Sequence, residues 1–303
     1  MDPAADILRL LTIAWAALVG SVVGSFLNVV IARLPKGESV VHPRSRCPGC
    51  GAGIAWYDNV PVLSWLLLRA RCRRCRAPIS ARYPLVELLV AALGGLAVQR
   101  HGVSPAAAAE LTFGALLVAL AFIDLDTWLL PFVLSLPFAA LGLAAGWLRL
   151  APSATLGGAL LGGGVGFLAF LVVHLVGEKV FKREAMGFGD VVLLGGIGGW
   201  LGVGALLPVI LLSSLQGSVV GIALILLGRG QPGPPAARPA SAEDPGAAAA
   251  ADRPAPDDGG DDWVPPRHSL PFGPFLALAG LEWLLLGPWL ARAVPLLSPF
   301  TGR

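Results

Sequence analysis

The sequence predicts an all-α polytopic membrane protein of about eight transmembrane helices, with a small cytoplasmic domain built on four cysteines. Three observations carry that expectation. Hydrophobic residues make up 55% of the chain and charged residues only 14%, with a mean hydropathy of +0.74, far more apolar than a soluble domain. Apolar runs recur near the roughly 20 residues that span a hydrocarbon core of about 30 Å. The basic residues are concentrated in one loop, the signature of a segment retained in the cytoplasm.

The apolar runs cover residues 10–31, 83–99, 105–124, 129–148, 154–177, 190–202, 204–227 and 270–291, the sixth short enough for a broken or tilted span. The first is longer than a typical signal-peptide core and no clear cleavage site follows it, so it reads as a retained span. From Arg33 through Arg82, both included, there are ten Lys and Arg residues against only Glu38 and Asp58, which puts that loop inside and the N-terminus outside. Alternation from there puts 178–189 and 228–269 inside as well.

The chain then divides into a first span (1–31), a cytoplasmic zinc-binding domain (32–82), a membrane-embedded catalytic core (83–228), a disordered cytoplasmic insertion (229–268) and a last span with the C-terminus (269–303). The insertion contains PGPPAARPAS, AAAAA and DDGGDD, too poor in large apolar groups to offset the entropy of ordering. Glycine-rich stretches at 157–166 and 195–202 suit close helix packing in lipid. No periodic repeat of 20 to 50 residues is evident, which argues against a solenoid.

All four cysteines fall in the polar segment. Cys47-Pro-Gly-Cys50 and Cys72-Arg-Arg-Cys75 form two C-x2-C knuckles separated by 21 residues, close to the spacing of four-thiolate zinc sites. Such a site is tetrahedral and closed, so the metal would be structural, contributing folding free energy to a loop with little core. Disulfides and a redox pair are the competing readings. A reducing compartment disfavours the first, and the second needs only one C-x-x-C.

Acidic residues at membrane depth are costly and point to function. Asp124, in Phe122-Ile-Asp-Leu-Asp-Thr-Trp-Leu-Leu-Pro131, ends the third run, and Asp190, in Gly187-Phe-Gly-Asp190, enters the sixth from the same side. Two carboxylates at one depth are what an aspartyl protease needs: close like charges share one proton, so one activates water while the other polarises the scissile carbonyl. Gly187 and Gly189 would allow unusual backbone angles and close substrate approach. Either aspartate alone could merely cap a helix, Asp190 as an N-cap before Val191.

These residues carry a family likeness. Ser25-Phe-Leu-Asn28 through Arg33-Leu-Pro35, the cysteine loop with Trp56-Tyr57-Asp58-Asn59, Arg82-Tyr83-Pro84-Leu-Val-Glu87, the two aspartate segments and Pro271-Phe-Gly-Pro-Phe275 together resemble the bacterial prepilin peptidases of type IV pilus and type II secretion systems. Gly187-Phe-Gly-Asp190 fits the G-x-G-D motif of the wider aspartyl protease family.

The resemblance implies a multi-pass enzyme of the bacterial inner membrane, working at its cytoplasmic face, that removes the basic leader from type IV prepilins and pseudopilins. It also implies N-methylation of the new N-terminus from S-adenosylmethionine, a reaction for which the residues give no motif, and no nucleic-acid partner. Phe132 stands where the family often has Asp or Asn. Asp126, Glu178 and Glu184 are the acids available to meet a basic leader. A peptidase without methyl transfer, or a non-enzymatic membrane scaffold with a zinc docking loop, remain alternatives at this stage.

Overall fold

The computed structural model describes residues 3–150, 155–181, 186–227 and 270–293. Among them the regular structure is helical: α1 (Pro3–Arg33), α2 (Leu63–Leu67), α3 (Arg82–His101), α4 (Pro105–Thr127), α5 (Phe132–Trp147), α6 (Leu156–Phe181), α7 (Phe188–Leu201), α8 (Val203–Leu226) and α9 (Gly273–Ala293). Each predicted apolar run is one of these helices, and α2 is an extra turn inside the cysteine loop. Six helices are long and apolar enough to cross a membrane, whereas α5 and α7, with 16 and 14 residues, are shorter. The chain is a multi-pass membrane protein. The expected insertion at 229–268 lies outside the described residues.

Local chemistry sets the helix ends that matter for the site. α4 starts with Pro105 behind Ser104, whose hydroxyl accepts the Ala107 N–H at 3.3 Å, filling one of the free donors of a first turn. It stops at Trp128, which takes a left-handed conformation (φ 59°) and returns its N–H to the Asp124 carbonyl at 2.9 Å. Pro131, with no N–H to give, then opens α5.

Two apolar clusters form the core. One joins Phe113, Leu117 and Leu120 of α4 to Phe138 of α5, Ile197 and Trp200 of α7 and Leu276 of α9. The other joins Val118 and Ile123 of α4 to Leu27 and Ile31 of α1 and Val86 and Val90 of α3. α4 thus has a partner on either side. α7 is buried continuously from Asp190 to Trp200, as expected of a helix that is apolar all round. It can lie so deep because it meets α6 backbone to backbone: a Cβ on Gly162 would strike the Gly198 carbonyl, and one on Gly198 would strike that of Gly162.

The cysteine loop is built differently. Few of its residues are buried, and its two knuckles share one hydrogen-bond pattern. Cys47 N–H bonds to Ala52 O and Ile54 N–H to Ser45 O; Cys72 N–H bonds to Ala77 O and Ile79 N–H to Ala70 O. Gly51 and Arg76, each following a knuckle's second cysteine, both have positive φ. The two copies share R-C-x-x-C-x-A-x-I, Arg46–Ile54 and Arg71–Ile79, so the loop does contain a two-copy repeat, too short and too sparse in shared residues to be evident in the sequence as a period.

Candidate active site and four-cysteine centre

Asp124 occupies the last turn of α4 and is buried, 5% exposed, while Asp126 is exposed. Residues two apart on a helix diverge by about 200°, so only one of them can face the core. Asp126 turns outward to Arg82, whose guanidinium reaches both of its carboxylate oxygens at 2.6 and 2.7 Å, donates to Phe122 O at 3.0 Å and stacks over the Phe122 ring. This occupies the acid that was considered for leader recognition. Glu178 is exposed on α6, and Glu184 lies outside the described residues.

Asp190 is likewise buried, 8% exposed, in the first turn of α7. The N-cap is Gly187 and Asp190 stands inside the helix, so the capping role considered for it is not the one it takes. The two aspartates come from different helices, and the charge of Asp124 is felt at Asp190. A third segment completes the arrangement: the backbone N–H of Gly273, at the start of α9, donates to the Asp124 carboxylate.

Glycine matters here for space. Gly187 has φ −63° and ψ 138°, which any residue adopts, so the unusual backbone angles expected there are not found. A Cβ on Gly189 would lie 2.7 Å from Leu130 Cβ, and one on Gly273 would lie 2.5 Å from Asp124 Oδ2 and 3.2 Å from Leu130 Cδ1. Leu130, itself buried, is wedged between both glycines. Phe132, in place of the polar residue expected from the family, packs edge-on against Phe188 with ring centres 6.1 Å apart; Phe188 also meets Phe167 and His174.

The four cysteines are free thiols whose sulfurs all lie within 4.8 Å of one another, Cys47 and Cys75 at 3.7 Å. Four sulfurs around one ion at about 2.3 Å would be separated by about 3.8 Å, so the cluster fits a metal. The backbone N–H groups of Cys75 and Arg74 point at the Cys72 sulfur and lower its thiol to about 6. At Cys75 the Ala77 backbone hydrogen bond is outweighed by burial and the neighbouring sulfurs, which raise that thiol to about 11, so the crowded thiols cannot all ionise without a cation among them.

Comparison with known proteins follows this division. Residues 18–101 match the bacterial peptidase A24 N-terminal domain, and residues 111–222 match the type IV leader peptidase family. A prepilin leader peptidase/N-methyltransferase of Myxococcus xanthus is 46% identical over 316 aligned positions, 92% of this chain and 91% of the relative. The chain belongs to the type IV leader peptidase family. Proteins of the same name from Aeromonas hydrophila and Aeromonas salmonicida are 38% and 36% identical, each over 91% of both chains. No solved structure matches. Both aspartates fall in the leader peptidase match and all four cysteines in the N-terminal one.

Sequence reading passed over three residues. Gly273 was visible only as part of Pro271-Phe-Gly-Pro-Phe275, with nothing to say that its N–H meets Asp124. Leu130 looked like one apolar residue among many. Glu87, an acid in an otherwise apolar run, carried the same intramembrane signal as the aspartates and is buried beside the cysteine loop.

Proposed function

We propose that this protein is an aspartyl endopeptidase that removes the basic leader from type IV prepilins and pseudopilins, with Asp124 and Asp190 as its working pair. It acts at the cytoplasmic face of a bacterial inner membrane and also N-methylates the new N-terminus. One observation carries the peptidase reading: two buried aspartates from separate helices come within electrostatic reach, one oriented by a backbone N–H. Family membership supports prepilins as the substrate class, and the basic cysteine loop supports the cytoplasmic side of the membrane.

The pair supplies general acid–base chemistry. The ionised carboxylate takes a proton from a water molecule as the water oxygen bonds to the scissile carbonyl carbon. The protonated carboxyl hydrogen-bonds to the carbonyl oxygen. Collapse of the tetrahedral species breaks the C–N bond, and the departing nitrogen leaves with a proton from the pair. Gly273 N–H holds Asp124 in register, while Gly189 and Leu130 set how closely α7 approaches the end of α4.

Cys47, Cys50, Cys72 and Cys75 would hold a structural zinc ion, which with four thiolate ligands would have no open position and would take no part in cleavage. S-adenosylmethionine, when bound, supplies the methyl group. The test is reconstitution of the purified protein in liposomes with a prepilin and methyl-labelled S-adenosylmethionine, with cleavage and label scored separately. Leader release followed by label on the new N-terminus is expected. Failure to cut any class of prepilin would overturn the peptidase reading.

A further inference from the structure

Four acids are buried in the helices that surround the site: Glu87, Glu110, Asp124 and Asp190. Three have an evident electrostatic partner. Glu110 meets Arg100 at 3.2 Å and His101 at 2.7 Å, and the two aspartates interact with each other. Glu87 is different. Its carboxylate accepts the Val62 N–H at 2.7 Å and a hydrogen bond from Ser25, both neutral donors, and no cation lies within ion-pair distance among the described residues. A buried carboxylate without a cation is costly. Its surroundings indicate where one can enter.

Glu87 lines a cavity of about 540 Å³ between the cysteine loop and the ends of α1 and α3, within the ~300–1,000 Å³ usual for small-molecule sites. Tyr57 contributes an aromatic surface. Asn28 donates its amide to Tyr83 O at 3.1 Å, keeping its side-chain oxygen as an acceptor. The other acid in the wall, Asp58, is already neutralised by a two-point contact with Arg73 at 2.6 and 2.9 Å. Arg33 and Arg46 also line the space and suit a carboxylate.

We infer that this cavity is the methyl-donor site and that Glu87 is the counter-charge of the donor's sulfonium, an inference that rests on the proposed methyl transfer. S-adenosylmethionine presents what the wall complements: a flat base, a hydroxylated sugar, an amino-acid carboxylate and a permanent positive charge on sulfur. In the reaction the S–CH3 bond breaks and an N–CH3 bond forms at the pilin N-terminal nitrogen, whose former proton passes to solvent. The product, S-adenosylhomocysteine, is neutral at sulfur, so the attraction to Glu87 disappears with the methyl group and favours exchange.

The position also suits sequential reactions. Tyr83 lines the cavity, and its neighbour Arg82 binds Asp126 and Phe122 O on either side of Asp124. The cavity and Asp124 therefore border the same end of α3 and α4.

Two substitutions test the assignment by equilibrium dialysis of zinc-loaded, full-length protein with labelled S-adenosylmethionine and S-adenosylhomocysteine. Glu87→Gln keeps an oxygen for the Val62 N–H and removes the charge. It should weaken S-adenosylmethionine by about tenfold or more, as expected for loss of a charge-assisted contact, while S-adenosylhomocysteine changes by less than about twofold. Gly53 lines the cavity and has nothing within 4 Å of its Cβ position, so Gly53→Phe should fill the space and abolish binding of both ligands at full zinc content. Equal weakening of both ligands by Glu87→Gln overturns the sulfonium contact. Undiminished binding by zinc-loaded Gly53→Phe overturns the site. Prepilin cleavage is scored apart: wild type that binds the donor but cuts no prepilin removes the peptidase reading and leaves this site standing.

Discussion

The cysteine loop and the aspartate site reach order by opposite routes. The loop is assembled from short-range parts, two knuckles of the same pattern, a two-point Asp58–Arg73 contact and hydrogen bonds such as Trp65 Nε1 to Ile79 O at 3.1 Å. With little apolar area to bury, it depends on whatever ties the four sulfurs together. The aspartate site has almost no local order of its own. It exists where the C-terminal end of α4, the first turn of α7 and the start of α9 are pressed together by a shared apolar core. A region made of local motifs fails when a motif is cut, whereas one made by packing fails when a spacing changes.

That contrast can be broken most forcefully at the carboxylates. Asp124→Asn and Asp190→Asn should each lower prepilin cleavage by about 10³-fold or more, since an amide cannot exchange the shared proton, with zinc content unchanged. A zinc-loaded Asp124→Asn protein that still cuts would remove the pair from the mechanism.

Spacing comes next. Gly273→Ala places a methyl group 2.5 Å from Asp124 Oδ2 and should cost about 10²-fold in cleavage rate, the scale of a displacement of about 1 Å at a reacting group. Wild-type rates in that variant would show that α9 does not position the site. Replacing any one of the four cysteines with serine should reduce zinc from about one per chain to well below it and raise hydrogen exchange across residues 46–79, with a smaller effect on cleavage. Elemental analysis and exchange mass spectrometry measure both, and purified wild type lacking zinc would defeat the structural-metal proposal.

Asp126→Asn should be mild. It removes a partly exposed ion pair with Arg82, worth about 0.2–1 kcal/mol, and cleavage should stay within about fivefold of wild type. The smallest effect concerns pH in the loop. The hydrogen bond from Arg73 holds the Asp58 carboxyl below its ordinary value, so its contribution is fully present above an unfolded pKa of about 3.9 and is lost as pH falls through the lower folded value. The difference in loop exchange between wild type and Asp58→Asn should therefore be constant from neutral pH to about 5 and vanish in stronger acid.

The sequence by itself determined the helical membrane class, because apolar runs of spanning length permit few other structures in lipid. It also determined the cysteine cluster, since two C-x2-C knuckles each form locally and need only meet once. Asp124 and Asp190 were legible as candidates because an acid at membrane depth is rare, and Pro131 marked the end of the helix bearing the first. Tertiary structure decided the rest. It showed that Asp126 turns to Arg82, that Asp190 lies inside its helix, and that Gly189 and Gly273 serve spacing. It left Glu87 lining a cavity with no cation within ion-pair distance among the described residues. Each of these depends on which distant segment arrives beside the residue, and hydropathy and motif spacing report what a residue is while only packing reports what it meets.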